Sequence, residues 1–329
     1  MTGFKVLSVV QRRYYNRPTA TEPMYLYFTE PLRALGHQVE TFDPTEESAR
    51  LGREQATERL CALIRSGNFD AVFYQTSGKE LVDTAQLAPL SKSTRIIAWN
   101  SDDDWQWSVT RQLANHFTYM ITTYPGVYEQ NRAAFPNLLL SQWACMGAPS
   151  AVVAKDIDFS FAGAVYKIRN QECRALRRRA GLRCFGRGAR LVNLGIPYFR
   201  GAFRFDLLCG AAIDFSEINA VWNRTRVSYT PLRGGPGGEV LSLKSRIFDM
   251  GMSGTLMLCE RAPDLERYYE LGTECVIFES LEDCAEKARF YLAHEAERAR
   301  IAARYAERTG REHLWTHRFQ AIFKQIGLT

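Results

Sequence analysis

Short apolar runs alternate with amphipathic stretches along the whole of this 329-residue chain. In the first half, the runs predict strands at residues 4–10, 38–42, 70–74, 95–99 and 119–123. In the second half, they predict strands at residues 159–162, 190–194, 227–230, 255–259 and 275–278. Strands that alternate with helices form parallel sheets covered by helices on both faces, so the sequence predicts an α/β fold.

The length of the chain predicts two domains, because one domain has roughly 150 residues. The hydrophobic content of 46% supplies enough apolar side chains for two cores. We expect the hinge near residues 146–154, a Gly- and Pro-containing stretch between the two sets of strands.

The apolar runs, the cysteine spacing and the net charge argue against several classes of protein. No apolar run reaches the roughly 18 residues of a transmembrane helix, and the N-terminus has no signal-peptide pattern. The eight cysteines are scattered, without Cys-x-x-Cys pairs or zinc-spaced histidines, so neither a disulfide framework nor a structural metal is predicted. The net charge of +6 is mild for a dedicated nucleic-acid-binding protein. We therefore expect a cytoplasmic protein.

A glycine-rich turn and the charged segment after it suggest a phosphate site. The turn runs from Arg233 through Gly234, Gly235, Pro236, Gly237 and Gly238, and Lys244, Arg246 and Asp249 follow it. Amides of such a turn at a helix N-terminus bind phosphate, because unpaired N–H groups and the helix dipole point at the anion. Asp249 could accept hydrogen bonds from ribose or sugar hydroxyls. Taken alone, the glycines are typical of a surface turn and the cations of a solvated face. Together they favour a nucleoside diphosphate site.

Several short motifs carry a family resemblance. They are Asp158-Phe-Ser-Phe-Ala-Gly163 followed by Arg169, Lys244-x-Arg246-x-Phe248-Asp249, Gly254, a strand closed by Glu260, Leu271-Gly-Thr-Glu274, Ser280-Leu-Glu-Asp283, and His313-Leu-Trp-Thr-His317-Arg318. From about residue 156 onward, the sequence resembles the nucleotide-binding half of GT-B glycosyltransferases. Within this group it is most similar to the spore-maturation-type, glycosyltransferase group 1-like branch. One position departs from the pattern, since the family usually has Glu where Asp249 stands.

The resemblance implies a GT-B architecture. Two Rossmann-like, doubly wound domains face a cleft in this architecture, and a C-terminal helix crosses back to the first domain. We expect an acceptor-side domain at residues 1–150, a nucleotide-sugar-binding domain at residues 151–310, and the returning helix at residues 311–329.

The resemblance also implies an activity. A hexosyltransferase-like enzyme would move a sugar from a nucleotide-activated donor to an acceptor hydroxyl or amine, without a metal ion or a permanently bound cofactor. The donor would be bound by Arg169, Arg233, Gly234, Gly235, Gly237, Gly238, Lys244, Arg246, Asp249 and Glu260. A nucleotide-sugar epimerase of the same fold and a non-catalytic nucleotide- or carbohydrate-binding protein are the alternatives. The donor sugar and base, the stereochemical outcome and the oligomeric state stay open, as does the acceptor, which includes glycan, protein, lipid-linked and nucleic-acid substrates.

The acidic run Asp102-Asp103-Asp104 follows the predicted strand at residues 95–99. Carboxylates at this spacing can hold a divalent cation, or they can begin a helix, where the dipole favours them. The phosphate signature lies in the other half of the chain, however. We therefore expect Asp102 or Asp103 to line the acceptor side and to take the acceptor proton if the reaction inverts configuration.

Residues 169–190 are dense in arginine, and Arg177, Arg178 and Arg179 are consecutive. Such a run binds an acidic partner through its charge or forms a solvated helix face, and the sequence leaves both open. Arg169 stands apart, because it follows a predicted strand end where a guanidinium can pair with diphosphate. His313 and His317 have metal-ligand spacing but no accompanying zinc motif, so we predict a packing role for them.

Overall fold

The computed structural model describes residues 3–13, 20–147, 153–199, 214–235 and 238–328. The chain divides into two compact units. Unit 1 comprises Met1–Trp143 and Trp315–Thr329, and unit 2 comprises Ala144–Leu314. The sequence placed the corresponding boundaries at residues 150 and 310.

Unit 1 is built on a six-stranded parallel sheet with the strand order β2-β1-β3-β4-β5-β6. Its strands are β1 Lys5–Val9, β2 Gln38–Phe42, β3 Ala71–Gln75, β4 Arg95–Asn100, β5 Tyr119–Thr122 and β6 Leu138–Leu140. The strands β3 and β4 are almost wholly buried, as expected for parallel strands with both faces covered. The strand order reverses between β1 and β3, which is where open α/β sheets bind ligands beyond the carboxyl ends of their strands.

Helices cover both faces of this sheet. The α-helices of unit 1 are Pro23–Tyr27, Glu30–Ala34, Pro44–Leu51, Arg53–Ser66, Asp103–Thr110, Pro125–Asn131 and Trp315–Gln325. Short 3-10 helices span Thr84–Leu87, Leu90–Lys92 and Arg111–His116.

The C-terminal helix belongs to the N-terminal unit. The ring of Trp315 stacks on Tyr27 with centroids 4.9 Å apart, and Phe319 contacts Phe73 at 5.2 Å. The Nε of Arg95 donates a hydrogen bond of 3.1 Å to the carbonyl of Ile326. The predicted return of this helix to the first domain is therefore confirmed.

Unit 2 is built on a five-stranded parallel sheet with the strand order β13-β12-β9-β7-β8. Its strands are β7 Ile157–Ala162, β8 Arg183–Phe185, β9 Thr225–Thr230, β12 Leu256–Glu260 and β13 Val276–Phe278, and a small antiparallel hairpin pairs β10 Arg233–Gly234 with β11 Val240–Leu241. The helices are Lys167–Ala180, Ala189–Asn193, Phe215–Arg224, Arg246–Asp249, Leu281–Ala293 and Glu295–Glu312, with a 3-10 helix at Leu265–Arg267. Here the strand order reverses between β7 and β9.

One predicted strand is wrong. Residues 190–194 lie largely in the helix Ala189–Asn193, and the edge strand is the three-residue segment Arg183–Phe185. The side chain of Asn193 connects this helix to the edge strand. Its Nδ2 donates to the carbonyl of Cys184 at 2.8 Å, and its Oδ1 accepts from the backbone amide of Cys184 at 3.1 Å. A strand this short is too brief to show an alternating pattern in the sequence.

None of the helices in the described ranges is long and apolar enough to cross a membrane.

Candidate functional site

The switch point of unit 2 begins with a glycine that no other residue could replace without strain. Gly163 follows β7 directly, and its φ of +145° is one that other residues rarely adopt. A Cβ added there would lie 3.1 Å from the ring of Phe161 and 3.7 Å from Nη2 of Arg246. A side chain there would therefore crowd the Phe161 ring and touch the Arg246 guanidinium at the end of the strand.

Two arginines share one aromatic ring at this point. The guanidinium carbons of Arg169 and Arg246 lie 5.6 Å and 5.4 Å from the centroid of Phe161. Arg169 stands in the first turn of the helix Lys167–Ala180, and Arg246 begins the helix Arg246–Asp249. The fold thus brings together two cations that the sequence predicted for the donor site.

Within the described residues, the two guanidiniums interact with the carboxylates of Asp249 and Glu172 without forming a salt bridge. Neither Arg169 nor Arg246 forms a salt bridge within the described part of the chain, and Nη1 of Arg246 is buried there without a hydrogen-bond partner. Burial and the charge of Arg169 lower the pKa of Arg246 to about 10, although the charge of Asp249 partly offsets the effect. A partly buried pair of like charges favours an anion between or beside its members.

The glycine-rich turn connects the two strands of the β10–β11 hairpin. Gly235 and Gly238 have φ values of +80° and +76°, and Gly237 lies outside the described residues. The hairpin separates this turn from the helix that begins at Arg246. The expectation that the turn lies at a helix N-terminus is therefore wrong. Since the helix has only 4 residues, positive side chains, more than a helix dipole, supply the charge of the site.

Lys244 reaches back to this hairpin. A Cβ on Gly234 would lie 2.6 Å from Nζ of Lys244, so the ammonium group rests against the Gly234 backbone. Any larger residue at position 234 would displace it. Lys244 is the third predicted donor-site cation whose place in unit 2 the fold fixes.

Arg233 and Glu260, two further predicted donor-site residues, are bonded to each other. The Nε of Arg233 lies 2.7 Å from Oε1 of Glu260, and the amide of Leu232 donates to Oε2 at 2.8 Å. Both carboxylate oxygens of Glu260 are thus engaged by protein groups. The carbonyl of Arg233 accepts a hydrogen bond of 2.9 Å from Nη2 of Arg169.

Asp249 lies at the end of the helix that Arg246 begins. Its charge raises the pKa of Arg246, which places its carboxylate in the electrostatic neighbourhood of the cations. Its carbonyl accepts a hydrogen bond of 3.5 Å from the thiol of Cys145.

The sequence did not identify three residues of this site. They are Phe161, whose ring carries the two guanidiniums, and the pair Glu172 and Tyr229, in which the tyrosine hydroxyl donates to the carboxylate at 3.0 Å. Burial raises the pKa of Glu172, while Arg169 lowers it. The spacing of Glu172 three residues after Arg169 on a helix was the one available signal, because such residues lie on the same face.

In unit 1, the two predicted catalytic aspartates, Asp102 and Asp103, differ in their exposure. Asp103 is buried at the first turn of the helix Asp103–Thr110, and Oγ1 of Thr110 donates to its Oδ1 at 2.6 Å. Burial raises the pKa of Asp103 to about 6, against the opposing hydrogen bonds of Thr110, Thr122 and Asn100. Asp102 is exposed at the residue before this helix. Both follow β4 at the carboxyl edge of the sheet.

The remaining charged and metal-like patterns lie elsewhere. Arg177, Arg178 and Arg179 are exposed in the last turn of the helix Lys167–Ala180, and Arg179 pairs with Glu282 at 2.6 Å. His313 is buried, and its Nε2 lies 3.0 Å from the carbonyl of Tyr268. Across the described ranges, no group of three or more His, Cys, Asp or Glu side chains is arranged to hold a metal ion.

Comparisons with known proteins agree with this fold. Residues 169–324, just under half of the chain, match the model of a family described as glycosyl transferase-like. A search of curated proteins found no significant match.

Solved structures match over almost the full length. An alpha-glucosyltransferase in complex with UDP-glucose and DNA containing an abasic site has a TM-score of 0.63 at 11% identity, over 99% of this chain and 100% of that chain. HepE from Anabaena, in complex with UDP and glucose, has a TM-score of 0.64 at 9% identity, over 99% and 100%. Sucrose-phosphate synthase from Thermosynechococcus elongatus has a TM-score of 0.62 at 11% identity, over 98% and 99%.

The fold of the chain is therefore GT-B, as predicted. The match to the glycosyl transferase-like family begins in the first helix of unit 2 and ends in the C-terminal helix of unit 1. The family match adds a likeness to glycosyl transferases over residues 169–324.

Proposed function

We propose that the protein transfers a sugar from a nucleoside diphosphate sugar to an acceptor hydroxyl or amine, and that unit 2 holds the donor. The observation that carries the proposal is the pair Arg169 and Arg246, which share the Phe161 ring at the switch point while neither forms a salt bridge within the described residues. A diphosphate would supply the missing negative charge.

The chemistry of sugar transfer suits this arrangement. When the bond between the sugar and the diphosphate breaks, negative charge builds on the departing phosphate oxygens. Arg169, Arg246 and Lys244 stabilise that charge with fixed positive groups, which lowers the barrier directly. Guanidinium groups also match phosphate geometry with paired hydrogen bonds. In the same site, Asp249 accepts hydrogen bonds from the ribose or from the sugar of the donor.

The similar structures favour a uridine nucleotide as the first donor to test. The alpha-glucosyltransferase and HepE were solved with UDP-glucose, or with UDP and glucose. The acceptor of the present protein is a separate matter, and the DNA in the alpha-glucosyltransferase complex makes nucleic acid one acceptor to include.

We assign the general base, which takes the proton of the acceptor, to unit 1. Asp102 is exposed beyond the carboxyl end of β4 and accessible to a hydroxyl group, so we propose it as the general base of an inverting reaction. Asp103 is buried and bonded to Thr110, so it orients the start of this helix beneath Asp102.

A thermal-shift and calorimetry screen tests the donor site. We expect UDP, GDP, ADP, CDP or dTDP to raise the melting temperature, because a ligand at 100 times its Kd stabilises the folded state by about 2.7 kcal/mol. The variant Arg224→Ala is the control, since this arginine pairs with Asp156 on the surface of the same unit. Binding to none of the five would refute the donor site.

Product analysis with the matching sugar nucleotide then separates the activities. Transfer to an acceptor supports the proposal. Interconversion of the sugar without transfer would show an epimerase, and donor binding without turnover across glycan, peptide, lipid-linked and DNA acceptors would show a binding protein.

A further inference from the structure

Two donor-site cations contact the backbone of the short strand β10. The Nη2 of Arg169 donates to the carbonyl of Arg233 at 2.9 Å, and the ammonium of Lys244 lies against the backbone of Gly234. The direction of both cations therefore depends on where the backbone of residues 233 and 234 is held.

Glu260 holds that backbone at two points. Its Oε2 accepts from the Leu232 amide at 2.8 Å, and its Oε1 lies 2.7 Å from Nε of Arg233. The carboxylate stands at the end of β12 with only 13% of its side chain exposed. We call these three residues, Leu232, Arg233 and Glu260, the β10 brace.

Charge balance explains why Arg233 stays in the brace. A carboxylate beside an anion site repels the anion unless a cation neutralises it, and Arg233 neutralises Glu260. If Arg233 turned to the donor, Glu260 would be left largely buried and unpaired, which costs more free energy than the pair gains. The surface pair Arg261–Glu266 has no such constraint, because both of its side chains are half exposed.

We infer that Glu260 and Arg233 are positioning residues, which aim Arg169 and Lys244 at the donor diphosphate without contacting the donor themselves. The inference rests on the proposed function, since it concerns the same donor site. It replaces the direct donor contact that the sequence predicted for both residues.

The two roles predict opposite effects for Glu260→Gln. Glutamine keeps an oxygen for the Leu232 amide but loses the charged bond to Arg233. If the brace positions the cations, UDP binding weakens roughly three- to tenfold, because cations that are misdirected but still present lose only part of their interaction with the phosphate. If Arg233 binds phosphate directly, the same change frees a cation and removes a negative charge, so UDP binding becomes tighter.

The experiment is calorimetry of UDP binding to the full chain, with Arg233→Gln, Glu260→Gln and the double variant. A salt concentration of about 0.5 M shortens the Debye length to roughly 4 Å, which screens the long-range effect of a deleted charge. Glu266→Gln is the matched control, because it breaks the 2.7 Å ion pair with Arg261, which directly follows Glu260 in the chain. Hydrogen exchange of the Leu232 amide reports on the brace without any ligand.

The brace predicts that both single variants weaken UDP binding and that the double variant is no weaker than the worse single one. It also predicts that Leu232 exchanges faster in Glu260→Gln, because a neutral amide oxygen accepts more weakly than a carboxylate. Unchanged or tighter binding by Glu260→Gln, with weaker binding by Arg233→Gln, would overturn it in favour of direct contact. A wild-type chain that binds no nucleoside diphosphate would refute the proposed function and this role together. Normal wild-type binding that Glu260→Gln does not weaken would refute the brace alone.

Discussion

Replacing Arg246 by methionine should stabilise the unliganded protein and weaken donor binding at the same time. Methionine keeps an unbranched apolar contact with Phe161 and removes the charge. The pKa of Arg246 is lowered from 12.5 to about 10, and each unit corresponds to about 1.4 kcal/mol, so burial and Arg169 cost the charged form roughly 3 kcal/mol. The variant also loses the cation–π contact, which reduces the gain by about 1 kcal/mol. We therefore expect a net gain of about 2 kcal/mol in unfolding free energy.

The sign with respect to pH follows from the direction of the shift. Because the folded protein holds the Arg246 proton less tightly than the unfolded chain does, the cost is fully present below pH 10 and disappears only above it. Stability is therefore compared at neutral pH. A gain of 1 kcal/mol corresponds to a rise in Tm of roughly 2–4 °C for a protein region of this size, which calorimetry resolves.

The affinity for UDP should decrease in Arg246→Met, although the stability increases. Loss of a charge-assisted hydrogen bond to phosphate costs about 1.5–3 kcal/mol, so the Kd should rise roughly 10- to 150-fold. Arg224→Met is the control, because its exposed pair with Asp156 contributes within about 1 kcal/mol. A less stable Arg246→Met protein with unchanged UDP affinity would refute the reasoning, since Arg246 would then be a packing residue.

Four further outcomes are expected. Asp249→Ala should weaken UDP binding in calorimetry, whereas Asp249→Glu should bind like wild type; if both bind like wild type, the ribose assignment is wrong. Transfer activity should survive EDTA, and Asp102→Asn should lower kcat with little change in UDP affinity; a loss that magnesium or manganese restores would make the acidic run a metal site. Asp103→Asn should raise Tm at pH 8 but not at pH 4. Burial raises the pKa of Asp103 to about 6, so the folded protein loses stability as the pH rises through that value and the buried carboxyl becomes charged, whereas asparagine stays neutral. Gly163→Ala should destabilise unit 2 by about 1–3 kcal/mol and weaken UDP binding, because the alanine would be strained at a φ of +145°; a wild-type Tm and affinity would contradict the crowding argument.

The sequence was most informative where strands are long and fully buried. The strands β1, β3, β4 and β5 lie within one residue of their predicted positions, because a parallel strand covered on both faces leaves a continuous apolar run. The edge strand β2 also lies at its predicted position, although most of its residues are exposed. The three-residue strands β6 and β8 were not predicted, although β13 is equally short and was. Residues 190–194 were assigned to a strand because a helix of five residues leaves the same apolar signal. The charged segment around Lys244 and Arg246 and the family resemblance also came from the sequence alone.

Only the tertiary structure decided which charged residues meet and what each one contacts. Arg169 and Arg246 lie far apart in the chain, and the Phe161 ring brings them together only after β7 and the helix Arg246–Asp249 have packed in one unit. In the same way, the pairing of Arg233 with Glu260 depends on the neighbouring positions of β9 and β12. Hydrophobic periodicity is a local property of the chain, so the sequence determined most of the strands. The partner of a charge depends on distances through space, and these exist only in the folded protein.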